Sequence, residues 1–333
     1  MLCCMLGCDE VEVIEQPLQS QQGYIYFNTE VSTRGELVEE LNEKSFGITA
    51  YNYTGEWRIV KVQAKPNVFR NHGQEVAWDG RMHTYTPLVP WDASKKYAFF
   101  GYYPHGNSNV ILSDKNVEGT PYIDFTLPNT LNAMVDVMTA SLMDTDNSSS
   151  NAVGLTFKHR LTAMDVQARN FHEQGYSIRI KSLTMRFDSL LYNKVRLPLD
   201  DALEITRIAT NNWTKIQTYQ LVSNSNPITI EPTGTTTGSA PAISITNNSS
   251  LIFIPQEADA TGKFLRGNVS MTYDVIEGNR TNTKTFTTNF DVGKSLLAGR
   301  KYYFLINFST TSVSIAIVDS GEWTDKNIEI EFE

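Results

Sequence analysis

At 333 residues, with 28 Lys and Arg against 37 Asp and Glu, the chain has a formal net charge of −9. That balance disfavours a nucleic-acid partner, because such binding depends on neutralising phosphates. Hydrophobic residues make up 41% and charged residues 20%, an ordinary globular composition, and no apolar run reaches the ~18 residues of a membrane-spanning helix.

The first stretch, "MLCCMLGCDEVEV", holds all three cysteines, Cys3, Cys4 and Cys8. Beyond Cys8, neither a disulfide framework nor a cysteine-ligated zinc site can form, so the body must be held by packing. "MLGC" places a small residue before a cysteine at the end of an apolar run, with the acidic Asp9 and Glu10 next. This resembles the lipobox of bacterial lipoproteins, and the resemblance implies that Cys8 is acylated and becomes the new N-terminus. Residues 1–8 are then the remnant of a signal peptide. Because no basic segment precedes the apolar run, the true translation start is expected upstream of Met1.

Next comes "YIYFNTEVSTRG", which places Ile25, Phe27 and Val31 on one face of an extended segment and ends at Arg34 and Gly35 in a polar stretch open to a protease. "RGELVEELNEKSF" is the one helical candidate, with Leu37, Glu40 and Leu41 at helix-like spacing. From there strands dominate. "WRIVKVQA", "YAFFGYYP", "SIRIKSLTMRF", "SLIFIPQ", "NVSMTYDVI", "TKTFTTNF", "KYYFLINF" and "SVSIAIVD" alternate or run apolar between Gly, Pro, Asn and Asp clusters. In "SIRIKSLTMRF" the apolar phase slips by one residue, which predicts a bulge near Ser182.

The polar "DTDNSSSNAVG" (Asp144 to Gly154) is the most linker-like segment, giving an N-terminal domain over 9–152 and a C-terminal domain over 153–333. "EPTGTTTGSAPAISITNNSS" reads as a surface loop. The chain closes on "NIEIEFE", with Ile328, Ile330 and Phe332 on one face and Glu329, Glu331 and Glu333 on the other: the last strand of its own domain, or one donated elsewhere. Many short strands with turn signals between them read as an all-β fold built from β-sandwiches.

Signs of catalysis are missing. No G-x-S-x-G, H-E-x-x-H, G-x-G-x-x-G or P-loop pattern occurs, so neither enzyme activity nor a cofactor is expected. His72, His83, His105, His159 and His172 are isolated, and His159, inside an alternating strand, is expected to be structural. "DTDNSS" starts like a calcium loop but has Ser149 in place of the required Gly and Leu155 in place of the Glu, so no metal is expected. Trp57, Trp78, Trp91, Trp213 and Trp323 could stack on sugars if exposed, which keeps a surface glycan-binding lipoprotein as the alternative function.

Three stretches together resemble the fimbrillins and their Mfa-like relatives, the pilus subunits of Bacteroides-type bacteria. They are "KKYAFFGYYP", "VDVMTAS" followed by "VGLTFKHRLTAMDV", and "GRKYYFLINF" with "SGEW", so the likeness runs over most of the chain. It implies two transthyretin-like (Greek-key) sandwich domains, export as a lipoprotein through the periplasm to the outer membrane, and assembly with other fimbrial subunits into adhesive fimbriae that meet a host glycan or protein receptor. In such families an arginine-specific protease removes an N-terminal strand, and a strand from another subunit fills the groove. Here Arg34, before Gly35, is the candidate cut, Ile25, Phe27 and Val31 belong to the removable strand, and Ile328, Ile330 and Phe332 to a candidate donor. Little chain follows Trp323, a departure from a shaft subunit that makes tip, anchor or accessory roles equal candidates.

Overall fold

The computed structural model describes residues 23–33, 36–38, 41, 44–147, 152–172, 175–190, 193–200, 202–208, 215–232, 241–246, 250–258, 262 and 264–322. The protein is nearly all β, as the alternating runs require. Among the described residues ten strands form the first half: β1 (Phe27–Thr33), β2 (Glu36–Val38), β3 (Phe46–Tyr53), β4 (Gln74–Trp78), β5 (His83–Thr84), β6 (Lys96–Tyr103), β7 (Val110–Leu112), β8 (Tyr122–Thr126), β9 (Met138–Thr145) and β10 (Val153–His159). Six more follow: β11 (Thr162–Asn170), β12 (Tyr176–Leu190), β13 (Lys194–Pro198), β14 (Thr206–Arg207), β15 (Lys215–Val222) and β16 (Ile228–Ile230). The last six are β17 (Ile243–Ser244), β18 (Leu251–Phe253), β19 (Arg266–Glu277), β20 (Arg280–Asp291), β21 (Arg300–Phe308) and β22 (Val313–Glu322).

The N-terminal sheet runs β10-β9-β6-β3-β4-β5-β1-β2, and β1 also pairs with β10, so seven strands close into a ring with β2 attached outside it. Inside lies a core that includes Phe27, Phe46, Val76, Tyr85, Phe99, Leu155 and Phe157. Closure demands tight inner packing. Gly101 on β6 shows how tight: a Cβ there would sit 2.8 Å from the Phe157 ring, while on the other face of the sheet a Cβ on Gly47 of β3 would sit 2.2 Å from the Tyr102 ring, which would have to shift. Strand β10, on the C-terminal side of the expected 152/153 boundary, pairs with β9 and β1, so the hydrogen-bonded N-terminal sheet extends to His159.

Downstream, one sheet runs β17-β11-β21-β22 with β18 also on β11, and another runs β15-β12-β19-β20 with β16 on β12. Rings join them face to face: Phe187 meets Phe253, Phe290 meets Phe304 and Tyr273 meets Phe308, each pair at 5.1 Å between centroids. Edge-to-face aromatic pairs of this kind add about 0.5–1.5 kcal/mol each beyond the area they bury. The bulge read from the sequence is present, as a register shift between Ile180 and Ser182 where β12 pairs with β19. A fourth sheet, β14-β13-β8-β7, combines strands from both halves of the chain.

Two expectations are corrected. "WRIVKVQA" forms a helical turn, α1 (Trp57–Val60), and a 3-10 turn over Lys61–Gln63 in place of a strand. Only Trp57 is buried there, while Ile59 and Val62 are 65% and 69% exposed, so the apolar alternation has no core to face. Asp144, at φ 57°, fixes the turn by accepting from the Trp57 backbone N–H at 2.9 Å and the Tyr53 hydroxyl at 3.2 Å. The helical candidate after Arg34 is also a strand where it is described: Glu36–Val38 pairs antiparallel with β1, the pairing of three residues overriding weak helical spacing.

Candidate functional site

The strand that closes the ring is the one that the fimbrillin resemblance implies is removable. β1 pairs in parallel with β10, Phe27 opposite Val153 through Val31 opposite Phe157, and touches β5 at the single pair Phe27 and His83. Its lead-in is tied down as well: the Ile25 N–H donates to the Val89 carbonyl at 2.9 Å, and the Val153 N–H donates to the Tyr26 carbonyl at 2.7 Å. The Tyr85 hydroxyl donates to the Ile25 carbonyl at 3.0 Å, and burial pushes the Tyr85 pKa up to about 12. Ile25 and Phe27 are 0% and 1% exposed. Rings surround Phe27, with centroids at 5.7 Å to Phe99, 5.8 Å to Tyr85, 6.1 Å to Phe46 and 6.4 Å to Phe69. Asn28, on the other face, is exposed, which is the alternation of a strand with one face in the core.

His83, which sequence reasoning left as an isolated histidine, clamps this strand to the segment after the candidate cut. Its Nε2 lies 3.1 Å from the Leu41 carbonyl and 3.2 Å from the Lys44 carbonyl, so Nε2 carries the proton and donates. Its Nδ1 then accepts from the Thr29 hydroxyl at 3.3 Å. Burial lowers the His83 pKa below the usual imidazole value, which keeps the ring neutral in this role. No local motif marks it; its partners come from β1 and from Leu41 and Lys44, brought together by the ring.

Arg34 and Gly35 lie outside the described residues, but the residues on either side are paired, Thr33 opposite Glu36, with Ser32 opposite Leu37 and Val31 opposite Val38. The side chain of Val31 lies outside the described ones; Ile25 and Phe27 are buried in the core of the ring. Cys8, Trp213, Trp323, Ile328, Ile330 and Phe332 also fall outside the described residues.

Among the described residues no three His, Cys, Asp or Glu side chains cluster as metal ligands would. His159 Nδ1 lies 2.6 Å from Asp136 Oδ2 with its side chain 4% exposed, a structural contact at the base of β10. Trp57 is buried, while Trp78 and Trp91 are half-buried with T-shaped ring contacts to His83 and Tyr97. Between β20 and β22 lies a cleft of about 440 Å³, lined by Phe286, Phe290, Val313, Ile315 and Ile317 and by the polar Thr288, Asn289, Asp291 and Ser314.

The solved structure of a fimbrial protein from Bacteroides vulgatus is similar at TM-score 0.64 and 21% identity, over 91% of this chain and 100% of that one. A putative cell adhesion protein from Bacteroides ovatus aligns over 92% of this chain and 99% of its own, at TM-score 0.48 and 13% identity. The fimbrial anchor protein Mfa2 from Porphyromonas gingivalis aligns over 90% and 97%, at TM-score 0.36 and 9% identity. No curated protein matches the sequence. The fimbrillin-like family profile matches residues 33–323, nearly the whole of the ring and of the sheets behind it, and the chain belongs to that family.

Proposed function

We propose that the protein is a subunit of an adhesive surface fimbria, exported as a lipoprotein through Cys8 and assembled by strand exchange once an arginine-specific protease cuts between Arg34 and Gly35. The observation that carries this reading is the place of β1, the one strand that closes the N-terminal ring and enters it from the end of the chain. Cutting after Arg34 frees β1 from everything downstream except its non-covalent contacts. Its departure would leave β10 with an unpaired edge and Phe46, Tyr85, Phe99 and Phe157 around an empty groove, an unfavourable state that a strand of alternating apolar residues relieves.

Ile328, Ile330 and Phe332 have the alternation to fill such a groove in a neighbouring subunit. Burying three side chains of this size is worth roughly 5–8 kcal/mol before ordering costs. The two halves are read as transthyretin-like sandwich domains, and the role is structural and adhesive without catalysis. Family membership and the fold shared with a fimbrial protein support a place at the cell surface among other fimbrial subunits. Lipid attachment would place the chain at the outer membrane. A shaft position requires the cut, whereas an anchor keeps its lipid and its first strand.

The test is digestion of the native protein with an arginine-specific protease, followed by intact mass and gel analysis for SDS-resistant ladders. A single cut after Arg34 with ladder formation is the expected result. A cut protein that stays monomeric would remove strand exchange from the reading, and a resistant Arg34 would leave an anchor or tip role in its place.

A further inference from the structure

A cleft of about 450 Å³ opens where the last strand of the ring runs on into the C-terminal sheets, and we propose that it binds a sugar acid, the carboxylate-bearing residue of a glycan. Its walls come from the end of β10 and the residue after it, the segment that leads into β14, the segment after β18, and Leu297 with Ala298 before β21. Polar bonds brace these walls against one another. Arg160 is 6% exposed; its Nη1 donates to the Thr139 hydroxyl at 3.0 Å and its Nη2 to the Leu203 carbonyl at 3.1 Å. Arg207 Nε donates to the Pro255 carbonyl at 3.1 Å, and the backbones of Gln256 and Leu296 exchange hydrogen bonds at 2.9 and 2.8 Å. The cleft is thus built before any ligand arrives and falls within the roughly 300–1,000 Å³ range of small-ligand sites, so binding carries little cost of ordering it.

The lining selects the ligand. Among the described residues Lys158, Arg160 and Arg207 bring positive charge to the cleft against the carboxylates of Glu204 and Glu257, in a chain of net charge −9. A guanidinium held in one plane by backbone carbonyls is the geometry that receives a carboxylate in parallel hydrogen bonds. Arg207 already meets one carboxylate, that of Glu257, at 2.9 Å; Glu257 is 59% exposed, so this is a rim pair of small strength that a ligand carboxylate can displace. Leu203 and Leu297 are 38% and 46% exposed and Ile205 is half-buried, which gives small aliphatic faces between the charges. An alkyl carboxylate would set its chain against Glu204 and Glu257, and a neutral sugar would leave the cationic excess unanswered. A sugar acid meets both demands: its carboxylate faces the arginines, its hydroxyls donate to the glutamates, and its C–H face lies on the leucines. This gives the adhesive role proposed above a ligand class, and rests on that role only for its setting at the cell surface.

The test is titration of the uncut full chain with glucuronate, followed by saturation-transfer NMR. Glucose serves as the sugar without a carboxylate, and N-acetylleucine as the apolar carboxylate without sugar hydroxyls. Glucuronate should bind about tenfold more tightly than either, the scale of one charge-assisted hydrogen-bond pair. Arg207→Gln on the rim and Leu203→Glu at an exposed position should each weaken glucuronate binding by about tenfold, in variants that thermal melts show to be folded. Arg58→Gln, on the α1 turn outside the cleft with its side chain 83% exposed, should leave binding unchanged. Equal binding of glucose would mean that the carboxylate is not read, and equal or tighter binding of N-acetylleucine would assign the cleft to a peptide-like acid; either result overturns the inference. So would the absence of glucuronate binding, or binding that survives both cleft substitutions in folded protein. All of these outcomes are read before any cut at Arg34, so the inference and the assembly reading can fail separately.

Discussion

Replacing Phe27 with Ala tests whether β1 is held by its core face or by its backbone ladder. The ring is 1% exposed and lies among four other rings, so the substitution removes a full aromatic burial of about 1.5–3 kcal/mol. Lost ring contacts and the cavity left behind bring the expected destabilisation to about 3–5 kcal/mol. Asn28→Ala, one residue along on the exposed face, should stay within about 0.5 kcal/mol. Both variants keep the ladder to β10, so urea unfolding of the two, uncut, separates side-chain anchoring from strand pairing. The same pair examined after proteolysis extends the test: with the bond after Arg34 cut, Phe27→Ala should release the N-terminal fragment faster than the parent, and Asn28→Ala at the parent rate. If Phe27→Ala costs under 1 kcal/mol, or both variants release the fragment alike, the ring does not anchor β1 and the argument for a buried, exchangeable strand fails.

Other outcomes follow from local geometry. The folded-state pKa of His83 is depressed by burial, so the unfolded chain takes up its proton first. Stability is therefore full above pH ~6.5 and falls as the pH drops below it, and His83→Gln should flatten that acid limb in thermal melts. Gly47→Ala drives a methyl group into the Tyr102 ring and should destabilise by about 1–3 kcal/mol, with partial recovery when Tyr102→Ala is added, as read from a double-mutant cycle in denaturant. Asp144→Ala loses the acceptor for the Trp57 N–H and places a methyl-bearing residue at positive φ, an expected cost of about 1–3 kcal/mol; Asp144→Asn, which tolerates that backbone, should recover at least half in the same assay.

The all-β class, most strand positions and the bulge near Ser182 were legible because alternation reports which face of a strand is buried, and that is a local property. The same signal misled at "WRIVKVQA", where apolar residues alternate without a surface to cover them, and Asp144, far along the chain, decides the local conformation. Partner choice lies beyond alternation. Nothing in "YIYFNTEV" says that it pairs in parallel with "VGLTFKH", or that this pairing closes a ring, since the hydrogen-bonding groups of every strand are the same. Phe27 and Ile25 could be read as core residues, but His83 could not be linked to Thr29 and Leu41, because that link exists only once β1 and β5 meet.

The pairing of Phe27 with Val153 spans well over a hundred residues of sequence, and this sets an order of events. During synthesis or export from the N-terminus, β1 is among the first strands to appear, while its principal partner is the last strand of the ring. Local pairs such as β3 with β4 can form early, but until β10 arrives β1 has only its three pairs with β2 and the single pair with β5 to join, and the entropy of closing so long a loop delays its main ladder further. The groove is therefore built before its own strand fills it. A strand seated last lies outside the contacts that establish the rest of the fold, so exchanging it reverses only the final step of folding and leaves the remaining six strands of the ring paired in sequence.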